Sequence, residues 1–208
     1  MIKDTFIIMK KEFLELKTSI IRLLPMSILV LLPLAVIAFD VGKLGPSLIS
    51  KEMIVFLVPN ILGGSIAYEL TQNNIAHEKR EKTLDILLVS DINKYSIVIG
   101  KIIPGVIIGS IISFLGNFIL CFNYDFRSIT KIWNLILTPL LIYLINQISI
   151  FVSILIKDEK LGVFVGFLFM ILSCTPIVML KNRIFAFMIS VLLVIILTVI
   201  SAKLLKSV

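Results

Sequence analysis

Acidic and basic side chains crowd into one short stretch of this 208-residue chain, Glu78-Lys-Arg-Glu81-Lys-Thr83-Leu84-Asp85-Ile-Leu87-Leu88. Three carboxylates (Glu78, Glu81 and Asp85) alternate there with Lys79, Arg80 and Lys82. Residues of this kind bind by charge. The same stretch carries a compact apolar edge, which a plain connector does not require and which would be sticky if left bare. The spacing predicts a short helix over about 83–89, with charge on one side and Leu84, Leu87 and Leu88 on the other. Docking onto another protein is the chemistry this pattern suits. The plainer alternative is a solvated loop between two spans.

The remaining reactive side chains are sparse. His77 is the single histidine and has no Cys or His companion nearby, so it reads as a surface residue and not as a metal ligand. Gly100-Lys101 lacks the preceding glycine-rich loop of a nucleotide-binding motif and is followed by Ile102. No Ser/His/Asp set and no paired carboxylates inside an apolar run support an intramembrane enzyme. Four amides, Asn60, Asn117, Asn146 and Gln147, do fall within apolar runs. An unsatisfied amide in hydrocarbon is costly, so each should face protein or a water-filled path. Interhelical hydrogen bonding is the simpler reading. Asn146-Gln147 is the better candidate for a path, because adjacent amides cannot both enter one helix contact.

The elements that carry these residues are set by composition. Apolar residues make up 59% of the chain and the mean hydropathy is +1.10, so its solvent is the bilayer. Uncharged runs give six candidate spans: 23–39, 53–68, 102–124, 132–156, 161–180 and 184–202. The second is the shortest and extends toward Ile75. If both termini are cytoplasmic, that side carries fourteen of the twenty Lys and Arg residues, and the other side carries Lys43, Lys51, Arg127, Lys131, Lys181 and Arg183. This topology accounts for the net charge of +7, and a nucleic-acid partner is unnecessary. No cleavable signal peptide is expected, since a long charged segment precedes the first span. Cys121 and Cys174 fall within spans and read as small buried residues, not as a disulfide.

Residues Phe6, Met9, Phe13, Leu16 and Ile20 recur at helical steps, with Lys3, Lys10, Lys11 and Lys17 largely off that face. Residues 1–22 therefore form an amphipathic helix in the headgroup plane, which is either a membrane anchor or a connecting helix that also meets a partner. Asp91-Ile-Asn93 supplies turn and capping chemistry, so a helix should begin near Asn93 or Lys94. Tyr124, Phe126 and Trp133 suit an interfacial belt at an outer crossing. Gly105 to Gly109 and Gly162 to Gly166 have the spacing of close helix contacts, expected within one subunit. Residues 1–208 read as a single all-α membrane domain, with 76–92 as a cytoplasmic insert.

In order and spacing, the run from Glu78 to Ser90 followed by Gly100-Lys101 resembles the permeases of the ABC-2 type exporter family. Their hallmark after the second span is an acidic-basic run leading into Thr-Leu-Glu and a Leu pair. Lys82 stands where many members have Gly, and Asp91 where Pro is common. Lys10-Lys-Glu-Phe-Leu14 and Ser153 to Lys160 resemble other parts of that family. The resemblance implies a permease subunit that holds no cofactor and is not itself an enzyme. ATP and Mg would be bound by a separate ABC ATPase. Glu78, Glu81, Thr83, Leu84, Asp85, Leu87 and Leu88 would couple to that ATPase, and a second copy or a sister permease would complete the path. It also implies a plasma-membrane protein surrounded by lipid. Outward transport and the dimer rest on the resemblance alone. The short outer loops and apolar spans suit a lipophilic or amphiphilic cargo. A membrane scaffold or immunity-type protein is the alternative. It would need no ATPase, and its insert would tolerate charge reversal.

Overall fold

The computed structural model describes residues 2–16, 51–122, 128–156, 161, 165, 168 and 183–205, and among these it is helical with short turns. We label the helices α1 (2–16), α2 (Lys51–Arg80), α3 (Thr83–Val89), α4 (Lys94–Phe122), α5 (Ser128–Leu155) and α6 (Arg183–Leu204). Stretches of α4, α5 and α6 are long and apolar enough to cross a membrane. The first expected span, most of the fifth, the turn at 157–160, the Gly162–Gly166 pair and the side chains of Cys121, Cys174 and Trp133 lie outside the described residues.

Helix α2 does not stop at the apolar run. It continues for 30 residues to Arg80, about 45 Å at 1.5 Å per residue, against a hydrocarbon core of roughly 30 Å. Glu78, Lys79 and Arg80 are therefore its last turn and not part of a loop. The helix ends where Lys82 adopts a left-handed backbone, φ 58°. That conformation favours glycine, because only glycine lacks the Cβ that crowds the following carbonyl. Helix α4 starts where its local chemistry placed it: Asn93 Oδ1 accepts from the Tyr95 amide at 3.0 Å, and the Asn93 carbonyl opens the helix.

Helices α2 and α4 pack through small residues along their length. On α2 these are Gly63, Ala67 and Thr71; on α4 they are Gly105, Gly109 and Ser113. A methyl group on Gly109 would come within 2.7 Å of both the Gly63 carbonyl oxygen and the Ala67 Cβ, and one on Gly63 would overlap the Gly109 carbonyl oxygen and Ser113 Oγ. The backbones approach this closely only because those positions lack side chains. The Gly105–Gly109 spacing is thus a contact inside one subunit. Along the α5–α6 contact the chain instead uses large aliphatics. Leu137, Leu141, Leu144, Ile145, Ile148 and Val152 form a cluster with Tyr68 and Ala186, flanked by Phe187, Leu193 and Leu197.

Helix α1 docks on the bundle by an unexpected face. Its buried side chains are Ile8, Glu12 and Leu16, whereas Phe6 is exposed. Met9 and Phe13 are only half-buried. The apolar stripe of the sequence therefore lies roughly a quarter-turn away from the side that meets protein, with only Leu16 shared. In a bilayer this is consistent, because apolar side chains can face lipid while the protein-facing side carries polar groups.

Candidate partner-docking site

Helix α3 is fixed at both ends. At its start, Thr83 Oγ1 donates to the Glu78 carbonyl at 3.4 Å, reaching one of the carbonyls left open at the end of α2. At its end, three orphan carbonyls are satisfied. The Ser90 amide donates to the Ile86 oxygen at 3.1 Å, Ser90 Oγ donates to the Leu87 oxygen at 2.6 Å, and the Lys94 ammonium reaches the Leu88 oxygen. A cation at a helix C-terminus also complements the helix dipole.

The apolar edge of α3 faces its own chain. Leu84 is 4% exposed, and Leu88 packs against the cluster of Ile75, Val98 and Ile102. Leu87 and Thr83 are half-buried. Of the expected apolar edge, Leu84 is covered by its own chain, and Leu87 and Leu88 are half-buried. The open surface consists of Ile86 and Val89, 70% and 88% exposed, beside exposed Glu81, Lys82 and Asp85. His77 lies at the edge of this surface, 3.4 Å from Glu81, with both side chains mostly exposed. Such a pair is worth little in stability.

Glu78 also faces inward. It is 2% exposed and belongs to a buried charge cluster that the sequence did not reveal. Lys101, 5% exposed, sits between two carboxylates. Its ammonium donates to Glu12 Oε1 at 2.7 Å and also to Glu78 Oε2. Glu78 Oε1 accepts from Lys11 at 2.6 Å, and Glu12 Oε2 accepts from the Asn74 amide at 2.9 Å. All four carboxylate oxygens have a donor, as buried charges require. Glu12, Glu15 and Glu78 converge within 4.8 Å, a spacing suited to a cation. Lys101 and Lys11 are the cations bound there, Lys11 also lying 3.4 Å from Glu15. Burial pushes the Glu12 carboxyl up, and Lys101 only partly offsets this. Burial opposes ionisation of Glu78 too, but Lys101 and Lys11 together outweigh it and hold this carboxyl below its usual range. Lys101 is thus not a loop cation preceding a span. It lies two turns inside α4.

The four amides separate into different roles. Asn146 and Gln147 are both fully buried, but each enters its own helix contact. Asn146 Oδ1 accepts from Thr71 Oγ1 of α2 at 2.5 Å, and Gln147 Nε2 donates to Ser201 Oγ of α6 at 3.3 Å. Adjacency thus reflects two neighbours on α5 and does not require a path. Asn60 is buried on α2. Asn117 is buried on α4, and neither polar atom of its amide has a hydrogen-bond partner among the described residues.

A family model described as ABC-2 family transporter protein matches residues 41–203. The chain belongs to that family. It matches no curated protein and no solved structure. As an ABC-2 family member it is a membrane transporter component, and members of the family are membrane subunits that generally work with ABC ATPases and are not themselves enzymes. The matched region includes α2 to α6 with the whole α3 surface, Glu78 and Lys101. Glu12 comes from the segment before it. The sequence offered one clue to the buried cluster, namely Lys101 at the head of a strongly apolar run. Its partners stand 23 and 89 positions away.

Proposed function

We propose that this chain is the membrane-spanning subunit of an ATP-binding cassette exporter. It has six spans, with both termini on the cytoplasmic side of the plasma membrane. It forms the translocation path with a second copy or a sister permease, within membrane lipid. A separate ABC ATPase binds ATP and Mg and docks on α3. The observation that carries this reading is the construction of α3. The helix is short, has its C-terminal carbonyls bound by Ser90 and Lys94, and turns Asp85, Ile86 and Val89 outward beside Glu81 of the preceding turn. Ile86 and Val89 fill a groove on the ATPase while Glu81 and Asp85 make polar contacts at its rim. Leu84, Leu88, Thr83 and Glu78 hold α3 to the bundle, with Leu87 at the boundary. The glycine-packed α2–α4 pair carries the movement of α3 into the membrane. Of the four amides, Asn117 is the one we assign to the path, with Asn60 as a secondary contact.

The test is a pull-down of the tagged chain in mild detergent, with ATPase activity assayed on the eluate. The wild type is expected to bring an ATPase, and Ile86→Asp with Val89→Asp to lose it while still inserting. An ATPase-free wild type, stable in lipid nanodiscs and prepared from the same host, would favour the scaffold reading instead.

A further inference from the structure

We infer that Lys101 is a positioning residue that makes α1 part of the moving apparatus. Its single ammonium joins α1, through Glu12, to the last turn of α2, through Glu78, so that α1 and α3 move as one body. This rests on the proposed docking role of α3.

Three observations converge on it. First, the tie is buried and fully satisfied. Lys101, Glu12 and Glu78 are each 5% exposed or less, and every carboxylate oxygen accepts a hydrogen bond, two of them from Lys101 and one each from Lys11 and Asn74. Removing one charge from such a set leaves another unpaired in a medium of low dielectric, so the set holds together or fails together. Second, the tie lies against the root of α3. Glu78 provides the carboxylate to Lys101 and the backbone carbonyl to Thr83. A displacement of α3 therefore reaches Lys101 through one residue. Third, the apolar contacts of α1 leave no slack beside the tie. Gly100, next to Lys101, meets α1 so closely that a methyl group there would lie 2.8 Å from Ile8 Cγ2 and 3.1 Å from the Thr5 carbonyl oxygen. Leu16 is held among Ile66 and Leu70 of α2. A helix serving only as a lipid anchor has no use for a buried carboxylate facing the bundle.

The experiment uses the full chain in lipid nanodiscs, with Cys121→Ser and Cys174→Ser. Spin labels are attached at exposed positions 3 on α1 and 91 just after α3. A second pair at exposed positions 69 on α2 and 107 on α4 reports whether the bundle itself is intact. The wild type should give one narrow distance between positions 3 and 91. Lys101→Met should broaden it several-fold while the 69–107 distance stays narrow, and Lys101→Arg should restore it. If Lys101→Met does not fold, Glu12→Gln, which leaves the Lys101–Glu78 pair in place, gives the same reading. With the ATPase bound and ATP plus vanadate added, the wild-type 3–91 distance should hold and that of Lys101→Met should shift.

The inference is overturned if Lys101→Met and Glu12→Gln leave the distance narrow, or if both label pairs broaden together. It is likewise overturned if the wild-type distance shifts with nucleotide as much as the variant's. A wild-type chain that retains no ATPase overturns the exporter reading separately, and the isolated chain then decides the tie.

Discussion

The α2–α4 and α5–α6 seams solve the same problem in opposite ways. Along the Gly63–Gly109 strip of α2 and α4 the backbones nearly touch, with Ile66, Leu70, Ile108 and Ile112 packed beside it. Between α5 and α6 the gap is filled by leucines, isoleucines and a phenylalanine, which have alternative rotamers. Lipid tails are as apolar as leucine, so neither seam gains from exclusion of water. What differs is compliance. At the glycine strip the backbones themselves are in contact, whereas the leucine-rich contact has side-chain rotamers that can change.

Two adjacent glycines on α2 set a backbone contact with α4 against an aliphatic contact with α5. Gly63 faces α4 backbone, whereas a methyl on Gly64 meets the flexible end of Ile145 on α5. Gly63→Ala should destabilise the fold by about 3 kcal/mol, the upper end of overpacking costs, and Gly64→Ala by about 1 kcal/mol. Unfolding by steric trapping in bicelles would measure both. Equal costs would mean that the aliphatic α2–α5 contact at Gly64 yields no more than the α2–α4 strip.

A cavity in the compliant seam comes next. Leu141→Ala removes a buried side chain from the α5–α6 cluster. It should cost about 2 kcal/mol, the low end for a buried leucine, because neighbours can close in and the unfolded reference is also apolar. The same bicelle assay reads it, and a loss greater than that of Gly63→Ala would reverse the ranking.

Much of this contrast was hidden in the sequence, for identifiable reasons. The Gly105–Gly109 spacing on α4 is recognisable, but its partner strip on α2 mixes Gly63, Ala67 and Thr71 and matches no simple pattern. The extent of α3 was legible in its spacing, and the Asn93 cap because capping is local. The direction in which α3 and α1 turn their apolar faces was not. Periodicity identifies an apolar stripe but does not say whether lipid, a partner or the chain's own bundle covers it. Leu84 is claimed by its own bundle, and Phe6 is left outside. The Glu12–Lys101–Glu78 cluster needs three segments to meet, and no local signal encodes that.

The charged end of the α2–α4 pair offers a smaller and pH-dependent test. The Glu12 carboxyl titrates above its ordinary value of 4.5, so the folded chain holds a proton that the unfolded chain has lost. Stability from this group therefore falls as pH rises through the window between the two. Glu78 titrates below 4.5. Its contribution is full above that value and is lost as pH falls toward its folded pKa. The end should be most stable in weakly acid solution just above 4.5, where both carboxyls are favourable. Glu12→Gln should flatten the decline on the alkaline side. Melting temperature against pH in nanodiscs gives the curve, and an unchanged slope in Glu12→Gln would remove Glu12 as its source.

The smallest effect concerns the hinge between α2 and α3. Lys82→Gly relieves a left-handed backbone while raising the entropy of the unfolded chain, and should gain about 0.5 kcal/mol. Lys82→Val should lose stability, because a branched Cβ fits that conformation poorly. If the two variants have equal melting temperatures, the turn is not held in that conformation in the membrane.

The position of the buried cluster has a consequence for synthesis. Glu12 leaves the ribosome 89 residues before Lys101, a wait of roughly 5–20 s at about 5–20 residues per second. Throughout that interval its carboxylate lacks its main partner. In the topology proposed here the cluster lies at the cytoplasmic membrane face, so Glu12 and Glu78 can wait in water and enter the interior together with Lys101. A charge set of the same composition placed at mid-membrane would have to cross hydrocarbon before its counter-ion existed.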